Sequence, residues 1–244
     1  MLGVNTWSRF FWMVFWVGVM GCASSPGGGP SSLRERREAA LLQRFEPEIR
    51  AFERADSLHP PAQGGVLFLG SSSIRLWESL EEDMAPLPVL NRGFGGSTLP
   101  EVLHYAERIV FPYRPALIVL YCGENDIQGG DLPEVVFQNF KRFVALCRER
   151  LPETPVVYLA MKPSPSRWAK WPAFEKGNAM IRRFAESQPG VHYLDLSPLM
   201  LRQGRPDGGI FLPDSLHLNA EGYRRWTQVL QPFLLQLWNE LPPR

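Results

Sequence analysis

The sequence predicts an α/β fold, with a five-stranded parallel sheet covered by helices on both faces. Three observations point there. Short apolar runs alternate with longer amphipathic stretches, the order that strand–helix–strand units require. Several of the short runs are apolar at every position, as strands buried on both faces must be. Finally, the segments rich in Gly, Ser, Asn and Asp follow directly after those runs, where open α/β sheets gather their chemistry.

Ahead of the domain, residues 1–21 read MLGVNTWSRFFWMVFWVGVMG, with Arg9 the sole charge before an apolar block over 10–20. That block is about half of what a bilayer span needs and reads as the apolar core of an export signal. It ends in Val19-Met20-Gly21-Cys22, which resembles the bacterial lipobox, with Val19 where Leu is usual. The resemblance implies a lipid on Cys22, a membrane-anchored protein facing the periplasm or cell surface, and an outer-membrane address if the host is Gram-negative. A plain secretory leader with an incidental cysteine is the alternative. Residues 22–32 form a flexible Gly/Ser/Pro linker, and 33–244 a single domain. Loss of 1–21 removes one positive charge and leaves the mature chain formally neutral.

The domain opens with a charged, helix-prone stretch over 33–58. Ala39, Leu42, Phe45, Ile49 and Phe52 recur at helical spacing, and Pro47 is a point of kinking or splitting. Strands are expected at 66–69 (VLFL), 89–90, 116–121 (ALIVLY), 155–160 (PVVYLA) and 191–194 (VHYL). Helices are expected at 74–80, 99–109, 134–151 and 174–186. A last one spans 220–241, capped by Asn219, kinked by Pro232, with Tyr223, Trp226, Leu230, Phe233 and Leu237 on one stripe.

Composition narrows the function classes. Hydrophobic residues are 45%, enough for one core and incompatible with disorder along the chain. With 26 Lys+Arg against 25 Asp+Glu, the charge balance offers no electrostatic reason to bind nucleic acid. Three cysteines cannot staple a chain of this length. Cys122 and Cys147 read as buried free thiols, although an exporting compartment would permit a bridge.

Ser71, Ser72 and Ser73 occupy a strand-to-helix turn, where hydroxyls and backbone N–H groups meet at a helix start; plain capping is the bland reading. A serine nucleophile needs a base, and the base a partner that fixes its tautomer. Of His59, His104, His192 and His217, His217 alone stands near a carboxylate at useful spacing in a loop, three residues after Asp214. A solvated loop pair is the alternative. Gly95 and Gly96 expose backbone N–H groups that no side chain shields, and Asn125 carries an amide donor; both also suit ordinary turns.

These blocks, FLGSSSIRLW (68–77), NRGFGGST (91–98), GEND (123–126) and DSLHLN (214–219), together resemble the SGNH hydrolases, or GDSL-type esterases and lipases. The resemblance implies a flavodoxin-like three-layer α/β/α sandwich and ester hydrolysis with no metal or organic cofactor. It implies Ser72 as nucleophile, Asp214 and His217 as acid–base pair, and Ser72, Gly96 and Asn125 as oxyanion donors. Ser71 stands where the family has Asp, which leaves Ser71 and Ser73 as fallback nucleophiles. Trp168 and Trp171, in the run after the fourth strand, offer a stacking platform for a sugar ring, or else pack against the core. The partner expected is a small-molecule ester: first an O-acetyl group on a carbohydrate, second a lysophospholipid or other lipid ester.

Rival readings have weaker support. A catalytically silent surface-binding lipoprotein would have no use for the Ser/His/Asp set. The Gly93-x-Gly95 pair fails as a dinucleotide fingerprint because Thr98 replaces the third glycine, and there is no H-E-x-x-H for a metal hydrolase.

Overall fold

The computed structural model of the protein describes residues 43–242. The expected export signal, Cys22, the expected linker and the first part of the expected leading helix lie outside the described residues. Five strands, β1 (Val66–Gly70), β2 (Val89–Gly93), β3 (Leu117–Tyr121), β4 (Val156–Leu159) and β5 (Val191–Leu194), form one parallel sheet in the order β2-β1-β3-β4-β5. Every residue of β1, β3 and β4 is buried, which is why their sequences are continuously apolar.

Helices account for both covered faces. In chain order they are α1 (Glu46–Leu58), α2 (Ser72–Arg75), α3 (Leu80–Asp83), α4 (Leu99–Ile109), α5 (Glu124–Gln128), α6 (Pro133–Arg150), α7 (Trp171–Ser187) and α8 (Ala220–Glu240). Successive strand side chains point to opposite faces. Leu67, Leu69, Ile118, Leu120 and Tyr158 therefore join a core with α1, α4, α6 and α7. Val66, Phe68, Leu117, Val119, Val157 and Leu159 join a second core with α2, α3 and α8. The expected sandwich is present. No helix among the described residues is long and apolar enough to cross a membrane.

Three expectations change in detail. The helix expected over 74–80 is two separate single turns, α2 and α3. Between them Trp77 turns inward, stacks on Tyr223 at 4.9 Å and donates its indole N–H to Asp83 at 2.6 Å. Burying that ring with its polar tip satisfied outweighs helix continuity. Second, the break expected at Pro47 comes slightly earlier: Gln43 is helical, Arg44 and Phe45 form a turn, and Pro47 falls in the first turn of α1, where its missing N–H costs nothing. Third, α8 continues through Pro232, with buried Leu230, Leu234 and Leu237 on either side; Phe233, expected on the buried stripe, is only partly covered.

The strand order fixes where a site can form. The chain leaves β1 toward β2 on one side, while β3 lies on the other. Loops after β1 and β3 diverge there and open a crevice beyond the C-terminal strand ends.

Candidate active site

Four loops meet at that crevice. The first is the turn after β1. Gly70 has φ +131, and a Cβ there would sit 1.9 Å from the Tyr121 carbonyl oxygen, so the strands close up only with glycine. Ser71 follows as the extended residue before α2, its N–H donated to that same carbonyl at 3.0 Å. Ser71 and Ser73 are buried, and the Ser73 carbonyl accepts the Tyr223 hydroxyl at 2.9 Å. Ser72 alone of the three is half-buried, and its Oγ lies 2.8 Å from His217 Nε2.

His217 is held by its own loop. The Asp214 Oδ1 accepts the N–H groups of Leu216 and His217 at 2.9 and 3.0 Å, folding the turn. Ser215 takes a left-handed φ of +58 within it, and a short antiparallel bridge between Phe211 and Leu218 closes its base. The remaining oxygen, Oδ2, lies 2.5 Å from His217 Nδ1. A carboxylate only accepts, so the ring proton belongs on Nδ1, and Nε2 is left to accept from the Ser72 hydroxyl. Partial desolvation raises the Asp214 carboxyl, but hydrogen bonds from the His217 ring and from two backbone N–H groups outweigh it and lower the pKa to about 2.

The other wall is built from the loops after β2 and β3. Gly96 has φ +80 and nothing within 4 Å of a would-be Cβ, so it faces open space. Asn125, near the start of α5, donates Nδ2–H to the Ser97 carbonyl at 2.9 Å. Arg167 donates to Asn125 Oδ1, also at 2.9 Å. A guanidinium has no acceptor, so this contact fixes which end of the amide is oxygen and aims the NH2 group. Arg167 in turn leans on the buried Glu124, which pairs with the fully buried Lys162 and the Tyr121 hydroxyl. Desolvation lowers the Lys162 pKa, and the Glu124 carboxylate opposes that shift. Next to Asn125, Asp126 is buried with Oδ1 accepting the Leu99 N–H at 3.0 Å; burial pushes its pKa up to about 7.

The expected residues thus divide. Ser72, Asp214 and His217 form one hydrogen-bonded chain, and Asn125 and Gly96 belong to loops tied together by the Asn125–Ser97 contact. Trp171 is 9% exposed and belongs to the core, and Trp168 stacks on it with centroids 6.1 Å apart. For Trp171 the packing reading describes the side chain and the open platform does not. Cys122 and Cys147 are free and buried, and desolvation raises both thiols. Sequence reasoning missed Arg167. It lies in the same 162–171 run that drew attention for its tryptophans, and a donor-only side chain at the strand-end rim was the available signal.

Comparisons with known proteins agree with this architecture. The model of the GDSL-like Lipase/Acylhydrolase family matches residues 62–225. Human platelet-activating factor acetylhydrolase IB subunit alpha1 is 31% identical over 179 residues, covering 70% of this chain and 76% of that protein. The alpha2 subunit from Rattus norvegicus is 28% identical over 189 residues, covering 72% and 79%. Among solved structures, a GDSL-like lipase from Bacteroides thetaiotaomicron superposes with a TM-score of 0.62 at 19% identity, covering 80% of this chain and 98% of that one. A carbohydrate esterase family 3 protein from Talaromyces cellulolyticus gives 0.58 at 16%, covering 74% and 100%. At those identities the structural likenesses speak for the fold alone.

Proposed function

Because this chain belongs to the GDSL-like Lipase/Acylhydrolase family and is an acylhydrolase, we propose that it is a serine esterase acting through Ser72, His217 and Asp214. The observation that carries this reading is the continuous contact from Ser72 Oγ to His217 Nε2 at 2.8 Å and from Nδ1 to Asp214 at 2.5 Å. His217 Nε2 takes the hydroxyl proton as Ser72 Oγ attacks the ester carbonyl carbon. Asp214 holds the ring tautomer and stabilises the imidazolium. The carbonyl oxygen, now negative, is bound by the N–H groups of Ser72 and Gly96 and by the Asn125 amide. His217 then gives its proton to the leaving alkoxide, which departs as the alcohol. Water, deprotonated by the same ring, attacks the acyl-enzyme, and the acid leaves as Ser72 recovers its proton.

Asn125 is the donor most directly open to test. Asn125→Ala is expected to lower kcat about a hundredfold or more with little change in KM, since the lost donor acts on charge that develops only in the transition state. An unchanged kcat for a short p-nitrophenyl ester removes it from the oxyanion hole.

For the substrate we propose a small acyl group, first an acetyl ester on a carbohydrate. The human and rat relatives carry acetylhydrolase in their names, and the Talaromyces cellulolyticus neighbour is named a carbohydrate esterase. A lipid-borne ester is the second reading, favoured by Leu212, 40% exposed and two residues before Asp214. Rates are expected to be highest for acetyl among p-nitrophenyl esters of rising chain length, and higher for acetylated oligosaccharides than for an acetylated glycerophospholipid. Rates that climb with chain length overturn the small-acyl assignment.

A further inference from the structure

We infer that the segment from Arg44 to Leu58, most of it α1, is a clamp that holds the oxyanion loop in its working shape, with Arg44 and Glu48 as positioning residues. The inference rests on the oxyanion role proposed for Gly96. This segment precedes residue 62, where the family match begins, so the positioning residues proposed here lie outside the matched stretch.

The argument starts from the peptide that carries the donor. The N–H of Gly96 belongs to the peptide linking Gly95 and Gly96. Its direction depends on the dihedrals on either side, and Gly96, at φ +80 with open space where a Cβ would be, offers little packing to restrain them. The two flanking peptides are gripped instead. On one side Gly95 donates its N–H to Glu48 Oε2 at 3.3 Å. On the other, Arg44 Nη2 donates to the Gly96 carbonyl oxygen at 2.9 Å. The donor peptide is therefore bracketed from α1 and the residues just before it.

Both gripping residues are themselves anchored. Arg44 forks onto Glu101, with Nε to Oε1 at 2.6 Å and Nη2 to Oε2 at 3.0 Å. Glu101 is buried, and its Oε2 also accepts the backbone N–H and hydroxyl of Thr98 at 2.8 and 2.9 Å, closing the capping box of α4. One guanidinium thus ties the end of the Gly95–Thr98 loop to its middle. Only the planar fork of Arg makes both contacts at once; an ammonium at that reach makes one. Phe45, between Arg44 and α1, packs edge-on against Phe94 at 5.0 Å, and Arg108 of α4 bonds Glu46 and Glu53 of α1 at 2.7 and 2.6 Å. These contacts fix α1 to the loop's own foundations.

The test is steady-state hydrolysis of p-nitrophenyl acetate by the full chain and its Arg44→Ala, Arg44→Lys, Glu48→Ala and Ser72→Ala variants, with thermal unfolding alongside. Arg44 and Glu48 are not core side chains, so their variants are expected to stay folded. Arg44→Ala and Glu48→Ala are each expected to lower kcat roughly tenfold, less than loss of a donor itself, with KM nearly unchanged. Arg44→Lys is expected to recover only a fraction. Combined with Asn125→Ala, Arg44→Ala is expected to cost less than the two separate losses multiplied, because both act on one oxyanion. Wild-type kcat in both alanine variants, with Ser72→Ala inactive, overturns the clamp and leaves the esterase reading standing. A rise in KM alone also overturns it. A wild-type chain that cleaves no ester overturns the esterase reading and the clamp with it.

Discussion

Ser72→Ala is expected to abolish ester turnover, with a loss of at least about 10⁴-fold in kcat, while the fold is kept. The size follows from what remains. Without the hydroxyl there is no acyl-enzyme, and only oxyanion donors and substrate positioning act on the uncatalysed attack of water. Retention of the fold follows from position. Ser72 is the first residue of α2, the capping position belongs to Ser71, and among the described residues the Oγ is hydrogen-bonded to His217. Removing one half-buried hydroxyl costs about 1 kcal/mol or less when the ring nitrogen it leaves can be solvated. Ser71→Ala and Ser73→Ala are the controls. Both residues are buried, and the two ring nitrogens of His217 are hydrogen-bonded to Ser72 and Asp214 instead. A fluorophosphonate is expected to label the wild type, Ser71→Ala and Ser73→Ala, and to spare Ser72→Ala. Full activity without Ser72, with loss in Ser71→Ala, moves the nucleophile by one residue; no labelling of any folded variant revives the silent-receptor reading.

Much of this is legible in the sequence. The strands announced themselves because a doubly covered sheet demands unbroken apolar runs, and ALIVLY satisfies no other environment so well. Ser72 and His217 lie 145 residues apart, yet each carries a local signature, a serine after a strand and a His three residues from an Asp. What stayed hidden were residues whose role lies in which partner they meet. Arg44 and Glu48 read as two more charges in a charged helix. Their meaning depends on α1 packing beside the Gly95–Thr98 loop, a long-range contact with no periodic trace. Lys162 opens the run after the fourth strand, which reads as a loop, and proves to be fully buried against Glu124. Trp77 misled in the opposite direction, since helical spacing around it was real but its ring gained more by turning inward beside Tyr223.

Asp214→Asn is expected to cost about 10⁴-fold in kcat/KM while leaving the loop in place. The turn is built on Oδ1, which accepts two backbone N–H groups, and an asparagine oxygen accepts them equally well. The change falls on Oδ2. An NH2 group there must donate to Nδ1, so the ring proton moves to Nε2, and that nitrogen no longer accepts from Ser72. The wild-type pH profile bears on the same contact. With its pKa near 2, Asp214 stays ionised wherever an ester assay is practical, so the acceptor facing Nδ1 is kept across that range. Folding responds far less. A carboxyl with a depressed pKa contributes stability that is present above the ordinary carboxylate range and lost as pH falls toward 2. Asp214 is 47% exposed, so solvent screens that contribution, and the variant is expected to unfold within about 1 kcal/mol of wild type at neutral pH. A kcat/KM within tenfold of wild type, in a variant whose melting is unchanged, would show that the imidazole needs no carboxylate to hold its tautomer, and the proposed relay from Asp214 through His217 to Ser72 would fall with it.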